Sequence, residues 1–301
     1  MNINFAFLRH GHGCHNALSP LYESGQIQRK DYKKLRSMTS DPELTQMGVD
    51  ASIHNGCIIS KILKNLHKDI PEYDMNPVNI IGSSPLIRCM ETAFYMTRKW
   101  KNPPNKIYVF PYLREIDERS EDIYSFKSRI TMDTTPGYAM KTIEEQKQYL
   151  ASQGILQYFD FTFVENNLSA RQEPGNISKF ILWFSNNFLK NASKPKLNVF
   201  ITTHAGVLKH FANEGFFNNS GIVVNTLLKK RSIGVINTVS LNKYLPDSFF
   251  SHYNAPQYSN KEYFCPSNRC GQFCTSMHNP DTLKRIQYTC ETSDDDKLTS
   301  V

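Results

Sequence analysis

A chain of 301 residues has the length for one large α/β domain with a tail, or for two modest domains, and enough to bury a core. Its 40% hydrophobic and 21% charged residues are a globular composition, and no apolar stretch reaches the length of a membrane span, so no membrane partner is expected. The net charge of +7 suits an anionic partner, but Lys and Arg are scattered, with only short clusters such as Lys229-Lys230-Arg231, so nucleic acid is not the expected one.

Ile3-Asn4-Phe5-Ala6-Phe7 is a strand-forming run that stops at Leu8; Arg9, His10 and Gly11 follow, with Asn16 a short turn later. A guanidinium, an imidazole and a permissive glycine are expected where side chains leave the C-terminal edge of a sheet to meet a ligand. Arg9 can fork onto a phosphate and neutral His10 can attack its phosphorus; the plainer alternative is a strand-end histidine with a structural role. The motif follows Met1 too closely to leave room for a cleaved signal, and the seven unevenly spaced cysteines fit reduced thiols, so a cytoplasmic location is expected.

Ala17 to Ser40 is polar and basic, with Lys30, Lys33, Lys34 and Arg36, either a solvated loop or a cationic rim that recruits an anion. Asp41-Pro42-Glu43-Leu44-Thr45 introduces a helical pattern through Ala51, Ile58, Ile59, Ile62 and Leu66, with Thr45 as its N-cap. Val78 to Gly82 reads as a second strand, Ser83-Ser84-Pro85 as a turn, and Leu86 to Trp100 as a helix that points Arg88 back toward the strand's C-terminal edge. Arg88 is a second candidate phosphate fork; the alternative is an exposed helix arginine paired with Glu91. Lys106 to Phe110 reads as a third strand, after which Leu113-Arg114-Glu115-Ile116 places a carboxylate at the same edge. Glu115 could act as a general acid, with crowding by Asp117, Glu118, Glu121 and Asp122 raising its pKa.

From Glu118 to Pro174 the pattern weakens, and residues 118–174 read as an insertion or cap over the site. Gly175 to Leu189 is an amphipathic helix with Phe180, Ile181, Trp183, Phe184 and Phe188 on its core stripe. Leu197 to Ile201 is the fourth strand and runs into Thr203-His204-Ala205-Gly206, so a second histidine ends a strand. Asn225 to Leu228 and Ser232 to Leu241 are the final strands. Residues 1–245 are read as the catalytic domain and 246–301 as an irregular tail. The tail's Cys265, Cys270, Cys274 and His278 are zinc-type ligands without the paired Cys-x-x-Cys spacing of structural sites, and ordinary reduced thiols are the expected state.

Taken together, Leu8-Arg9-His10-Gly11 with Asn16, Asp41-Pro42 with Leu44-Thr45 and Gly48, Ser83-Ser84-Pro85 with Arg88 and Glu91-Thr92-Ala93, Leu113-Arg114-Glu115-Ile116 and Thr203-His204-Ala205-Gly206 resemble the histidine phosphatase superfamily, whose fold is shared with cofactor-dependent phosphoglycerate mutases. The resemblance covers about Ile3 to Leu241 and implies an α/β fold, a three-layer α/β/α sandwich with a mainly parallel sheet. It implies that His10 is the residue phosphorylated, that Arg9, Arg88 and His204 hold the phosphoryl oxygens with Asn16 assisting, and that Glu115 protonates the leaving oxygen, with no metal and no cofactor. His12 stands where the family usually has Glu or Gln, Ala205 replaces a common Gly, and Asn176 replaces a frequent Glu. The mutases resemble one another in an Arg-His-Tyr-Gly stretch after the glutamate; Ile116-Asp117-Glu118-Arg119 lacks it. The expected function is therefore a phosphomonoesterase working through a phosphohistidine on a phosphorylated small molecule or phosphoprotein. A phosphoglycerate-type mutase and a non-enzymatic phospho-ligand-binding or regulatory module are the alternatives. Retention of His10, Arg9, Arg88, Glu115 and His204 argues against the last, since a pure binder has no need of all five.

Overall fold

The structure, a computed structural model of the chain, describes residues 2–13, 15–16, 22, 25, 27–32, 41–65, 77–98, 100–116, 141–187, 196–211, 222–229 and 232–241. Strand β1 (Asn2–Arg9) sends Phe5 and Phe7 to one side and Ala6 and Leu8 to the other, the alternation of a strand buried on both faces. Around it lie β2 (Ile80–Ser83), β3 (Ile107–Val109), β4 (Phe159–Asp160), β5 (Lys196–Thr203), β6 (Ile222–Lys229) and β7 (Ser232–Ser240), in the order β4-β3-β2-β5-β1-β6-β7. From β4 to β1 the neighbours run parallel, while β6 and β7 extend the sheet antiparallel.

Helices cover both faces, as a parallel sheet requires. On one face Ala6, Leu8, Ile81 and Phe200 meet Ile53 and Ile59 of α1 (Gln46–Asn65), Met90 and Phe94 of α2 (Ile87–Thr97) and Leu150 of α3 (Ile143–Ser152). Two short helices, α4 (Thr162–Glu165) and α5 (Leu168–Gln172), lead into α6 (Ile177–Asn187), and α7 (Ala205–Leu208) follows β5. On the second face Phe5, Phe7, Val199 and Ile201 meet Phe180 and Phe184 of α6 and Val207 and Leu208 of α7. Edge-to-face ring pairs recur there, with Phe5 and Phe184 centroids 5.5 Å apart and Phe110 and Phe184 5.7 Å apart. The result is a three-layer α/β/α sandwich with a mainly parallel sheet.

Thr45 caps α1 as expected, its Oγ1 accepting from Gly48 N at 3.2 Å. The 118–174 stretch differs from an insertion where it is described: β4 pairs with β3 at Ile107 and Phe159, and α3 buries Leu150 in the first core. A two-residue strand has no period for a sequence to display. The start of α3 is legible, since Thr142 and Glu145 form a capping box. Residues 117–140 and the whole tail, including Cys265, Cys270, Cys274 and His278, lie outside the described residues.

Cys57 is disulfide-bonded, which corrects the expectation of reduced thiols throughout. Spacing along a chain does not show which thiols meet in space, and a disulfide removes the redox argument for a cytoplasmic location. Among the described residues no helix is long and apolar enough to cross a membrane.

Phe180 is fully buried among Phe5, Phe7, Phe110 and Phe184. Phe180→Ala is expected to cost about 3–5 kcal/mol in urea unfolding, through lost transfer energy and the cavity left behind. A loss below 1 kcal/mol would show that the second face closes around the gap.

Candidate active site

The site begins with register. Strands β1 and β5 run parallel with Arg9 opposite Thr203, and His10 N donates to Thr203 O at 2.8 Å, so His10 and His204 leave adjacent strands at the same level. Ser84 N donates to Thr202 O at 2.9 Å, which brings the end of β2 alongside. The two histidine rings meet edge to face with centroids 5.1 Å apart.

Arg88 reaches this edge from the first turn of α2 and is fully buried, which rules out an exposed helix arginine. Its Nε donates to His10 Nε2 at 3.2 Å, and its Nη2 lies 3.4 Å from His204 Nδ1. Glu91 is engaged with other partners, accepting from Leu44 N at 2.7 Å and from the Tyr149 hydroxyl at 2.5 Å. Asp41 holds the start of α2 from outside: its Oδ1 accepts from Ile87 N at 2.8 Å, and its Oδ2 from Gln146 Nε2 at 2.6 Å. The φ of 46° at Asp41 is left-handed, a strain of order 1–2 kcal/mol for a side-chain-bearing residue, held in place by these bonds.

His10 has a defined tautomer. Its Nδ1 lies 2.6 Å from the Gly11 carbonyl, which can only accept, so Nδ1 carries the proton. Arg88 can only donate, so Nε2 presents a lone pair. The turn behind it is pinned by Thr92, whose Oγ1 accepts from Gly11 N at 2.8 Å and donates to Arg88 O at 2.6 Å.

Glu115 follows Tyr112, whose φ of 63° turns the chain after β3. Its Oε2 lies 3.5 Å from His204 Nδ1, and its Oε1 accepts from Ile116 N at 3.0 Å and Gly206 N at 3.2 Å. A Cβ on Gly206 would stand 2.8 Å from Glu115 Oε1 and 2.9 Å from Ile116 O, so a side chain there would displace the carboxylate. Gly48 is similarly constrained, because a Cβ would collide with the His12 carbonyl.

The remaining expected residues are placed around this centre. Arg9 ends β1, half-buried, and its charge acts on His10, His204 and Glu115. Asn16 closes the next turn, its Oδ1 accepting from Gly13 N at 2.9 Å, so a phosphate-assisting role falls to its Nδ2. His15 stands with its ring 5.7 Å from that of His10. Supporting roles for Ser84, Cys89, Thr92 and Asp41 are not legible in the sequence, because each acts through a contact across distant segments.

Burial, followed by the Arg88 charge, pushes both His10 and His204 well below the ordinary histidine pKa. Burial also raises the Glu115 pKa, and Arg88 and the backbone donors pull it partly back. The acidic neighbours expected to do this, Asp117, Glu118, Glu121 and Asp122, lie outside the described residues. His12 is pushed down to about 3 by burial and then by Arg9.

His10, Glu115 and His204 each offer one ligand atom, all within 4.8 Å of one another, a spacing a divalent cation could bridge. Arg88 already presents a fixed positive charge to both imidazoles. A metal there would have to displace it, so the arrangement suits an anion better.

No family model matches the chain, and no curated protein matches it. Among solved structures, a phosphoserine phosphatase variant from Entamoeba histolytica in complex with phosphoserine is similar over 81% of this chain and 100% of that one, at 14% identity and a TM-score of 0.39. Bacillus stearothermophilus YhfR is similar over 78% of this chain and 95% of that one, at 17% identity and a TM-score of 0.37. In its own motifs, its α/β/α layers and the meeting of two histidines, an arginine and a glutamate at one sheet edge, the chain resembles the histidine phosphatases.

The histidines with depressed pKa predict a pH dependence of folding. His10, His12 and His204 hold pKa values below 6.5 when folded, so below pH 6.5 the unfolded chain binds protons the folded one refuses, and stability falls as pH falls. Glu115 works in the opposite direction above its reference of 4.5, since its raised pKa lets the folded state bind the extra proton. The urea midpoint is expected to drop between pH 7 and pH 5, and His12→Gln to flatten the slope by up to about 1.4 kcal/mol per pH unit. An unchanged slope in His12→Gln would show that His12 is charged in the folded protein.

Proposed function

We propose that the protein is a phosphomonoesterase of the histidine phosphatase type, acting through a phosphohistidine intermediate on a phosphorylated small molecule or phosphoprotein. The observation that carries this reading is the His10 Nε2 lone pair facing the buried Arg88 guanidinium, with His204 and Glu115 at the same edge. A group transferring as a phosphoryl spreads charge over its equatorial oxygens, and Arg88 and Arg9 supply fixed positive charge where that charge develops. A nucleophile with its lone pair turned to the guanidinium and its other nitrogen committed to a carbonyl is more than a binding module needs.

In the first step the His10 Nε2–phosphorus bond forms as the ester phosphorus–oxygen bond breaks, and Glu115 gives its proton to the leaving oxygen. The raised pKa of Glu115 suits it to carry that proton. In the second step water attacks phosphorus, Glu115 takes back a proton, and phosphate leaves with His10 restored. His204 is neutral in the free site; an incoming anion reverses the local electrostatics and favours its charged form, a donor to a phosphoryl oxygen. Asn16 Nδ2 is assigned a supporting contact in the same proposal.

Rapid-quench trapping with a panel of phosphomonoesters tests the assignment. His10→Ala should abolish the acid-labile phosphoenzyme, and His204→Ala should slow its formation by about 100-fold, the scale of one transition-state donor. Phosphoenzyme formation at the wild-type rate in His10→Ala would overturn the mechanism. Chelators are expected to leave turnover intact, since Arg9 and Arg88 supply the positive charge; activity abolished by chelation and restored by a divalent ion would reassign His10, Glu115 and His204 as ligands.

A further inference from the structure

His204 sits in a run of hydrogen bonds whose direction can be worked out from the ends. At one end Arg88 Nη2, which can only donate, lies 3.4 Å from His204 Nδ1. At the other, the Cys89 thiol points to the Thr203 carbonyl, with Sγ 3.5 Å from an oxygen that can only accept. Between them Ser84 Oγ lies 2.8 Å from His204 Nε2, and Cys89 Sγ lies 3.3 Å from the same nitrogen. Burial raises the Cys89 pKa, which keeps the thiol proton in place. With Nδ1 accepting from Arg88, and from Glu115 Oε2 at 3.5 Å in the protonated form that the proposed function gives it, His204 Nε2–H donates to Ser84 Oγ while the Cys89 thiol donates to Thr203 O.

We infer that Ser84 is a positioning residue: by accepting from His204 Nε2 it fixes the ring tautomer and leaves Nδ1 as the atom that meets the phosphoryl group. This deepens the phosphatase reading and rests on it for the identity of the group met. The charged and titratable groups facing His204 are consistent with the assignment. Arg88 and Cys89 face it from α2, His10 and Arg9 from the end of β1, and Glu115 from the segment after β3; His15 and Arg114 act on it by charge. Two of these, Arg88 and Glu115, lie on the Nδ1 side, where the transferring group must also lie if His10 Nε2 is to attack it. A Ser84 hydroxyl on Nε2 holds that ring edge away from the reaction without adding charge to it.

The test is the 15N spectrum of the His204 ring in ligand-free protein at pH 7, assigned by its loss in His204→Gln. The expected spectrum has a protonated Nε2 and a bare Nδ1. Ser84→Ala should broaden this into a mixture of tautomers and lower kcat about tenfold, the scale of one net hydrogen bond, with KM little changed. Ser84→Cys, which keeps a weak donor and acceptor, should restore the single tautomer. A protonated Nδ1 in the wild-type ring, or an unchanged ring spectrum in Ser84→Ala, would overturn the assignment. The spectral arm needs no substrate, so the expected spectrum in a protein without phosphatase activity would overturn the functional proposal and leave the tautomer assignment standing.

Discussion

The hydrogen bond from His10 N to Thr203 O fixes the chemistry of this chain, because it continues the β1 and β5 ladder one residue past the strands. Parallel register then makes neighbours of two histidines that are far apart in sequence. A slip of one residue would turn one ring from the ligand edge into a helical layer, and nothing else at the site could compensate. The large aromatic second face serves that register: Phe5, Phe7, Val199 and Ile201 are the interlocking side chains that oppose sliding of β1 on β5.

Upon this frame the fold buries a guanidinium between two imidazoles. Desolvating a charge costs several kcal/mol, and Arg88 receives no compensation from His10 or His204 beyond the lone pairs they present. The rings are neutral partly because the arginine is there, and the arginine is tolerated partly because the rings are neutral. Such a centre is short of negative charge in a weakly screening environment, which is the condition for tight recognition of a small anion. Asp41 stabilises the arrangement indirectly, through the start of α2 and through Gln146, whose Oε1 accepts from Arg171 Nη2 at 2.9 Å.

What could be read from the sequence follows a physical division. Strand-end motifs were legible because β-branched and aromatic runs stop where chemistry-bearing residues begin, as at Leu8-Arg9-His10 and Thr203-His204. Arg88 was legible because one helical turn fixes its direction relative to β2. Illegible features depend on contacts between distant segments: β4 is too short to show a period, Asp41 acts on a helix that starts at Ile87, and Ser84 meets a histidine on another strand. The raised pKa of Glu115 was anticipated in direction but assigned to its acidic neighbours, whereas burial is the first cause.

Thr92 carries a consequence for how the site responds to heat. A single hydroxyl joins the turn behind His10 to the carbonyl of Arg88, and it does so from inside α2 instead of from a surface loop. The alignment of the His10 imidazole and the Arg88 guanidinium is therefore tied to a helix of the core. On warming, this alignment should persist until the helix melts with the core, so the thermal range of the site is that of the sandwich as a whole.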